Sequence, residues 1–153
     1  LFQANRKDQE IQIMAKIQLL AILSIDGCLA NMDTEGRWWL RPDCHGISDI
    51  YNKATFELSP DYSMTTLIAE HEKQDDNTVY LIEATHQNAD FINALLNMRI
   101  VDEIIIYTVP FIAGTGFFLF QKNLPISYWK LTEQKSMPGA LRHIYRKVDV
   151  EDN

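Results

Sequence analysis

Apolar residues run from position 17 to position 25, broken only by Gln18 and Ser24, and a second run, Ile104-Ile105-Ile106-Tyr107-Thr108-Val109, is almost wholly β-branched. Runs of this kind predict strands covered on both faces, so the two are expected as central neighbours in one sheet. Residues 78–82 predict a further buried strand, and residues 64–69 a short one, with 70–77 as a charged turn between them. Helical spacing appears twice. Ile47, Ile50, Tyr51 and Ala54 predict a helix over 47–58, begun by Gly46 or Ser48 and ended by Ser59-Pro60. Phe91, Ile92, Leu95 and Leu96 predict the inner face of a helix over 89–98, with Asn88 as its N-cap and Asp90 suited to its dipole. The strand at 79–83, this helix and the strand at 102–109 form a β-α-β unit, for which a parallel pair and a right-handed crossover are expected. Alternating segments at 126–133 and 140–148 around Met137-Pro138-Gly139 predict a hairpin. The fold class is α/β: a mixed, mostly parallel sheet flanked by helices, with an antiparallel C-terminal hairpin.

Two strands end in loops that can hold a ligand. The first runs into Ser24-Ile25-Asp26-Gly27. The other passes through Pro110 into Gly114-Thr115-Gly116, where glycine permits a positive φ or close backbone approach. A G-x-G on its own more often marks a plain turn between strands.

Length sets one domain, placed at residues 17–150 of the 153. Residues 1–16 are mostly polar and without a sustained apolar period; a native start at Met14 would make those before it an N-terminal extension or a cloning remnant. The formal net charge of −7 argues against nucleic acid as a partner. Cys28 and Cys44 form no disulfide framework, and no stretch is long and apolar enough to span a membrane. A soluble, cytoplasmic protein acting on a small molecule is expected. No metal is expected either, because Cys28, Cys44, His45 and His71 lack a zinc-ligand spacing.

The order Ser-Ile-Asp-Gly after the first strand, then V-D-E-I-I-I-Y-x-V-P-x-I-x-G-x-G from Val101 to Gly116, resembles the reductase domain of the bifunctional riboflavin-biosynthesis deaminase/reductase and its dihydrofolate-reductase-like relatives. The resemblance covers residues 17–30 and 88–120. It implies a dihydrofolate-reductase-like fold, NADPH as cofactor, hydride transfer to a pyrimidine- or pteridine-like substrate, and a homodimer. It also implies Gly114, Thr115 and Gly116, with Gln87, Asn88 and Ala89, beside the cofactor. The chain departs from the pattern at those last three positions, where glycines are expected to admit the phosphates to a helix N-terminus. A second departure is the glycine-free connection between Leu58 and Val79, where the family carries a strand-helix element with a Gly-Arg-x-Thr signature for the adenosine end.

Asp26 has two readings: a catalytic carboxylate beside the cleft, binding a substrate hydroxyl or ring nitrogen, or an acceptor of backbone N–H groups that fixes the turn. Gly27, Arg37, Trp38 and Arg41 are candidates for the substrate wall, the arginines pairing a phosphate and an indole stacking on a heterocycle; packing of Trp38 and Trp39 over the sheet edge is the alternative. His86 stands either near a phosphate or in solvent. Two functions follow: an NAD(P)H-dependent reductase, or a non-catalytic ligand-binding or interaction module that keeps the fold and has lost the phosphate site.

Overall fold

The structure is a computed structural model that describes residues 15–30, 46–73, 77–120 and 123–149. Its centre is β1 (Lys16–Leu23), buried on both faces as the apolar run requires. On one side β1 pairs in parallel with β4 (Glu103–Thr108), Leu20 opposite Ile105; on the other it pairs in parallel with β3 (Val79–Glu83). The two apolar runs are therefore central neighbours as expected. The parallel pair expected of β3 and β4 is not formed, because β1 lies between them. A strand apolar on both faces needs two neighbours, and only the middle of the sheet supplies them.

The hairpin forms with its first strand longer and later than expected. Strand β5 (Tyr128–Met137) turns through Pro138 and Gly139, whose φ is +80°, into β6 (Ala140–Val148), and β6 pairs antiparallel with β4. The six strands lie in the order β2-β3-β1-β4-β6-β5.

Two local expectations fail between the central strands. The first helix, α1 (Ile47–Lys53), stops short of Leu58. Thr55 and Leu58 donate their N–H groups to Val79 and Leu81 of β3, which draws the chain into the short strand β2 (Phe56–Glu57) at the sheet edge. The strand expected at 64–69 is instead helix α2 (Met64–His71). Ser63 caps it by accepting from the Thr66 N–H at 3.3 Å, and Leu67, fully buried, faces the core with Met64 packed beside it. The connection from Leu58 to Val79 thus contains a helix.

Helix α3 (Ala89–Asn97) crosses from β3 to β4, with Ala89, Ile92, Asn93 and Leu95 buried and Phe91 and Leu96 packed at the margin. Alternation along β1 separates two cores. Ile17, Leu19, Ala21 and Leu23 face α2 and α3; Leu20 and Ile22 face α1. No helix among the described residues is long and apolar enough to cross a membrane.

Candidate functional site

At the carboxyl ends of β1 and β4 two loops are bound to one another. The chain leaves β1 through Ser24, turns at Gly27 with φ +84°, and bonds across to the segment after β4: the Ile25 N–H donates to the Phe111 carbonyl at 2.9 Å and the Leu29 N–H to the Phe117 carbonyl at 2.8 Å. Asp26 is the clasp. Its Oδ1 accepts from the Ser24 hydroxyl at 2.5 Å and the Ala113 N–H at 3.0 Å, and its Oδ2 from the Gly114 N–H at 3.0 Å. Ser24 is itself fixed, since its Oγ accepts from the Cys28 N–H at 3.0 Å.

These bonds favour the charged carboxylate. The Ser24 hydroxyl and then the Ala113 amide hold its pKa down to about 2, with the Gly114 amide adding to them and partial burial opposing. A carboxylate so engaged is a weak proton acceptor at neutral pH. Its geometry is that of a turn-fixing group.

The glycines of the second loop serve different ends. Gly114 has φ +78° with open space around it, so its need is conformational. Gly116 packs against the other loop: a Cβ there would stand 3.1 Å from both Cβ and Sγ of Cys28. Thr115 between them is exposed. Beside the clasp, Ile25, Ile112 and Phe118 are 61, 69 and 57 % exposed, which makes the loop surface apolar.

The third wall is the start of α3. Gln87 is exposed and Ala89 buried. Asn88 occupies the N-cap position but does not cap: its φ is −92°, its Nδ2 donates to the Glu83 carbonyl at 2.9 Å, and its own N–H donates to Thr85 Oγ1 at 3.2 Å. The expected side-chain cap is thus replaced by a tie back to β3. Asp90 adds a carboxylate in the first turn. The His86 ring, on an exposed residue, lies 4.4 Å from that of Phe117 and so joins the β3 end to the glycine loop. At the same end of the sheet Tyr51 of α1 donates to the Glu83 carboxylate; burial first, and then that bond, push the phenol pKa well up.

Asn93 was not singled out from the sequence, yet it positions the second loop. Its Nδ2 donates to the carbonyls of Ala89 at 2.7 Å and of the fully buried Leu119 at 2.9 Å. A polar residue on the inner face of an otherwise apolar helix was the available signal.

A dinucleotide fits the described part of this arrangement poorly. Segments 17–30, 77–98 and 100–120, which build the described walls, contain no lysine or arginine, while Asp26, Glu83 and Asp90 are acidic. Where phosphates would meet a glycine-lined helix start, Gln87 and Asn88 carry side chains and the Asn88 N–H is already donated. Arg37, Trp38 and Arg41, the expected substrate wall, lie outside the described residues, as do Trp39, Cys44 and His45. His71 pairs with Asp102 at 2.8 Å, and among the described residues no three His, Cys, Asp or Glu side chains gather to hold a metal.

No protein-family model and no curated protein matches the chain. Solved structures match it. RibD from Acinetobacter baumannii is 14 % identical at a TM-score of 0.63, over 95 % of this chain and 62 % of that one. A diaminohydroxyphosphoribosylaminopyrimidine deaminase/reductase from Thermotoga maritima is 10 % identical at 0.57, over 88 and 57 %. Dihydrofolate reductase from Enterococcus faecalis, complexed with NADP(H), is 11 % identical at 0.57, over 88 and 97 %. The chain spans about three fifths of the two deaminase/reductases. Likeness at such identity fixes the fold, which is dihydrofolate-reductase-like, as the two motifs implied.

Proposed function

We propose that this chain binds a small, flat heterocycle at the carboxyl end of the sheet, on a reductase scaffold whose hold on a nicotinamide dinucleotide is weak. The observation that carries the reading is the combination of a loop pair clasped by Asp26, with apolar Ile25, Ile112 and Phe118 beside it, and, among the described residues, walls free of cationic side chains. Such a surface suits an uncharged ring, and its described residues offer a pyrophosphate no counter-charge. Gly27 lies at the base of the loop pair, and Gln87, Asn88 and Ala89 close the side toward α3. Asp26 acts there as a positioning residue that keeps Gly114 and Thr115 in place.

The second reading, an NAD(P)H-dependent reductase acting on a pyrimidine or pteridine, is favoured by the fold shared with RibD and with the dihydrofolate reductase complexed with NADP(H). Binding energy at the phosphate and adenosine ends normally holds the reacting ring in place, so its loss lowers rate as well as affinity. Calorimetric titration with NADPH and NADH, then with pterin and uracil as ring probes, and a reductase assay on pyrimidine and pteridine substrates separate the two. Saturable ring binding with dinucleotide affinity weaker than micromolar is expected. Micromolar or tighter NADPH binding with turnover overturns the first reading in favour of the reductase, and absence of any ring binding overturns it outright.

A further inference from the structure

A cavity lies on the other side of the sheet from α3, between α1 and the hairpin, and runs along the strands from their amino ends to the level of Tyr107. It has a volume of about 620 Å³, within the range of metabolite sites. Lys16 and Gln18 of β1 and Glu103 of β4 line its floor at the amino end, while Arg142 and Lys135 stand level with Tyr107 near the other end of β4. Asp49 and Lys53 of α1 stand on one side, and Glu133 and Lys135 of β5 on the other, with Arg142 of β6 also in its wall.

The charges are organised. Glu103, 7 % exposed, accepts from Gln18 Nε2 at 2.7 Å and pairs with Lys16 at 3.0 Å, so the floor is internally satisfied. The Arg142 side chain, 15 % exposed, is held between the Glu133 carboxylate and the Tyr107 hydroxyl, the latter at 3.4 Å, and packs over Gly46, where a Cβ would come within 3.2 Å of Nη1. Its Nε is buried with no acceptor. A guanidinium fixed in this way has lost its freedom before any ligand arrives and keeps donors unspent. Lys53 and Lys135 have no carboxylate partner among the described residues. Four cations thus face three carboxylates, in a chain whose net charge is −7.

We propose that this cavity is a binding site for a small polyanion, a phosphate ester or polycarboxylate, anchored by Arg142 and by Lys53 and Lys135 from facing walls. Its lining includes neither Asp26 nor Ala113 nor Gly114, so substitutions of its cations test this site apart from the heterocycle. Its chemistry is point-charge and guanidinium recognition of carboxylate or phosphate oxygens.

Calorimetry of the full chain with inorganic pyrophosphate and with citrate tests this, alongside amide spectra that follow the Gln18 side chain on the cavity floor. One saturable site is expected for at least one probe, with movement of the Gln18 side-chain resonances; the tighter probe assigns phosphate or carboxylate chemistry. Loss of one charge-assisted contact should weaken binding roughly tenfold in Lys53→Ala, Lys135→Ala and Arg142→Gln, while Lys73→Ala, on the far side of the fold, leaves it unchanged. Should Arg142→Gln fail to fold, the two lysine variants decide the matter. No saturable binding of either probe, or equal weakening by Lys73→Ala, overturns the proposal.

Discussion

Replacing Asn93 by Ala should destabilise the fold through a single backbone carbonyl. In the native chain the Asn93 amide spans from α3 to Leu119, three residues beyond Gly116, at 2.9 Å. Leu119 is fully buried, so its carbonyl gains no water when the amide is removed. An orphaned buried acceptor costs about 1–3 kcal/mol, more than the ~1 kcal/mol net value of an ordinary hydrogen bond. The companion bond to Ala89 at 2.7 Å adds little to this, because that carbonyl lies within helical reach of the Asn93 backbone. For a domain of this size the range corresponds to a fall in Tm of roughly 3–10 °C. Urea denaturation followed by circular dichroism measures it, with Asn97→Ala as the comparison. Asn97 also donates to a backbone carbonyl, at 3.0 Å, but it is exposed, so its loss should stay within about 0.5 kcal/mol. Equal effects of the two substitutions would refute the assignment of cost to the buried Leu119 carbonyl. A Tm shift without faster amide exchange in residues 111–119 would refute the positioning role.

Ile105→Ala, at a residue 2 % exposed in a strand with neighbours on both sides, should cost about 2–5 kcal/mol in denaturant unfolding, and a loss under about 1 kcal/mol would contradict its place in the core. The Asp26 carboxyl should titrate with a midpoint of about 2 by carbon NMR, against the ordinary 3.8, and Ser24→Ala should raise it. Because the folded value is the depressed one, the clasp's contribution is complete above about 3.8 and lost as pH falls through about 2. The Ala113 and Gly114 amide shifts should report that loss, and pH-independent shifts would rule it out. Gly27→Ala should cost about 1–2 kcal/mol, since the nearest side-chain atom to an added Cβ, on Phe118 at 3.9 Å, is at ordinary contact and the strain comes from φ +84° alone; an unchanged thermal midpoint would show that the turn relaxes.

How much of this was legible in the sequence follows from the range of the forces involved. The runs at 17–25 and 104–109 declared central strands because burial on both faces removes alternation, and the hairpin declared itself through Pro138-Gly139. The order of strands was less legible. That β1 separates β3 from β4 follows from its own two-sided apolarity, a clue outweighed by the β-α-β succession. Helix α2 was read as a strand because Thr65, Thr66 and Ile68 are β-branched; its Ser63 cap and the i, i+3 pair of Met64 and Leu67 pointed the other way. Strand β2 carries almost no local signal: it is two residues long, with Phe56 half exposed, and is made by pairing with β3. At the site, the turn-fixing bonds of Asp26 were not legible, because Ala113 and Gly114, which donate to its oxygens, lie 87 and 88 residues away. Asn93 looked like a polar position on a helix because its partner, Leu119, is 26 residues distant.

The carboxyl-end loops and the cavity between α1 and the hairpin differ in charge for a reason rooted in the chain's composition. Segments that must bury β1, β3, β4 and α3 are apolar and spare few positions for charge, and those few at the carboxyl end are acidic: Asp26 bound to amides, Glu83 bound to Tyr51, Asp90 suited to the helix dipole. Each stabilises local structure. Together they oppose the phosphates that a glycine-lined helix start would attract. The hairpin and α1 are under less constraint, since β5 is largely exposed and β6 only partly buried, and Lys53, Lys135 and Arg142 gather between them around a cavity. The core can therefore keep a dihydrofolate-reductase-like scaffold while the electrostatics of its cleft change, because the residues that set the fold and those that hold a polyanion are different residues.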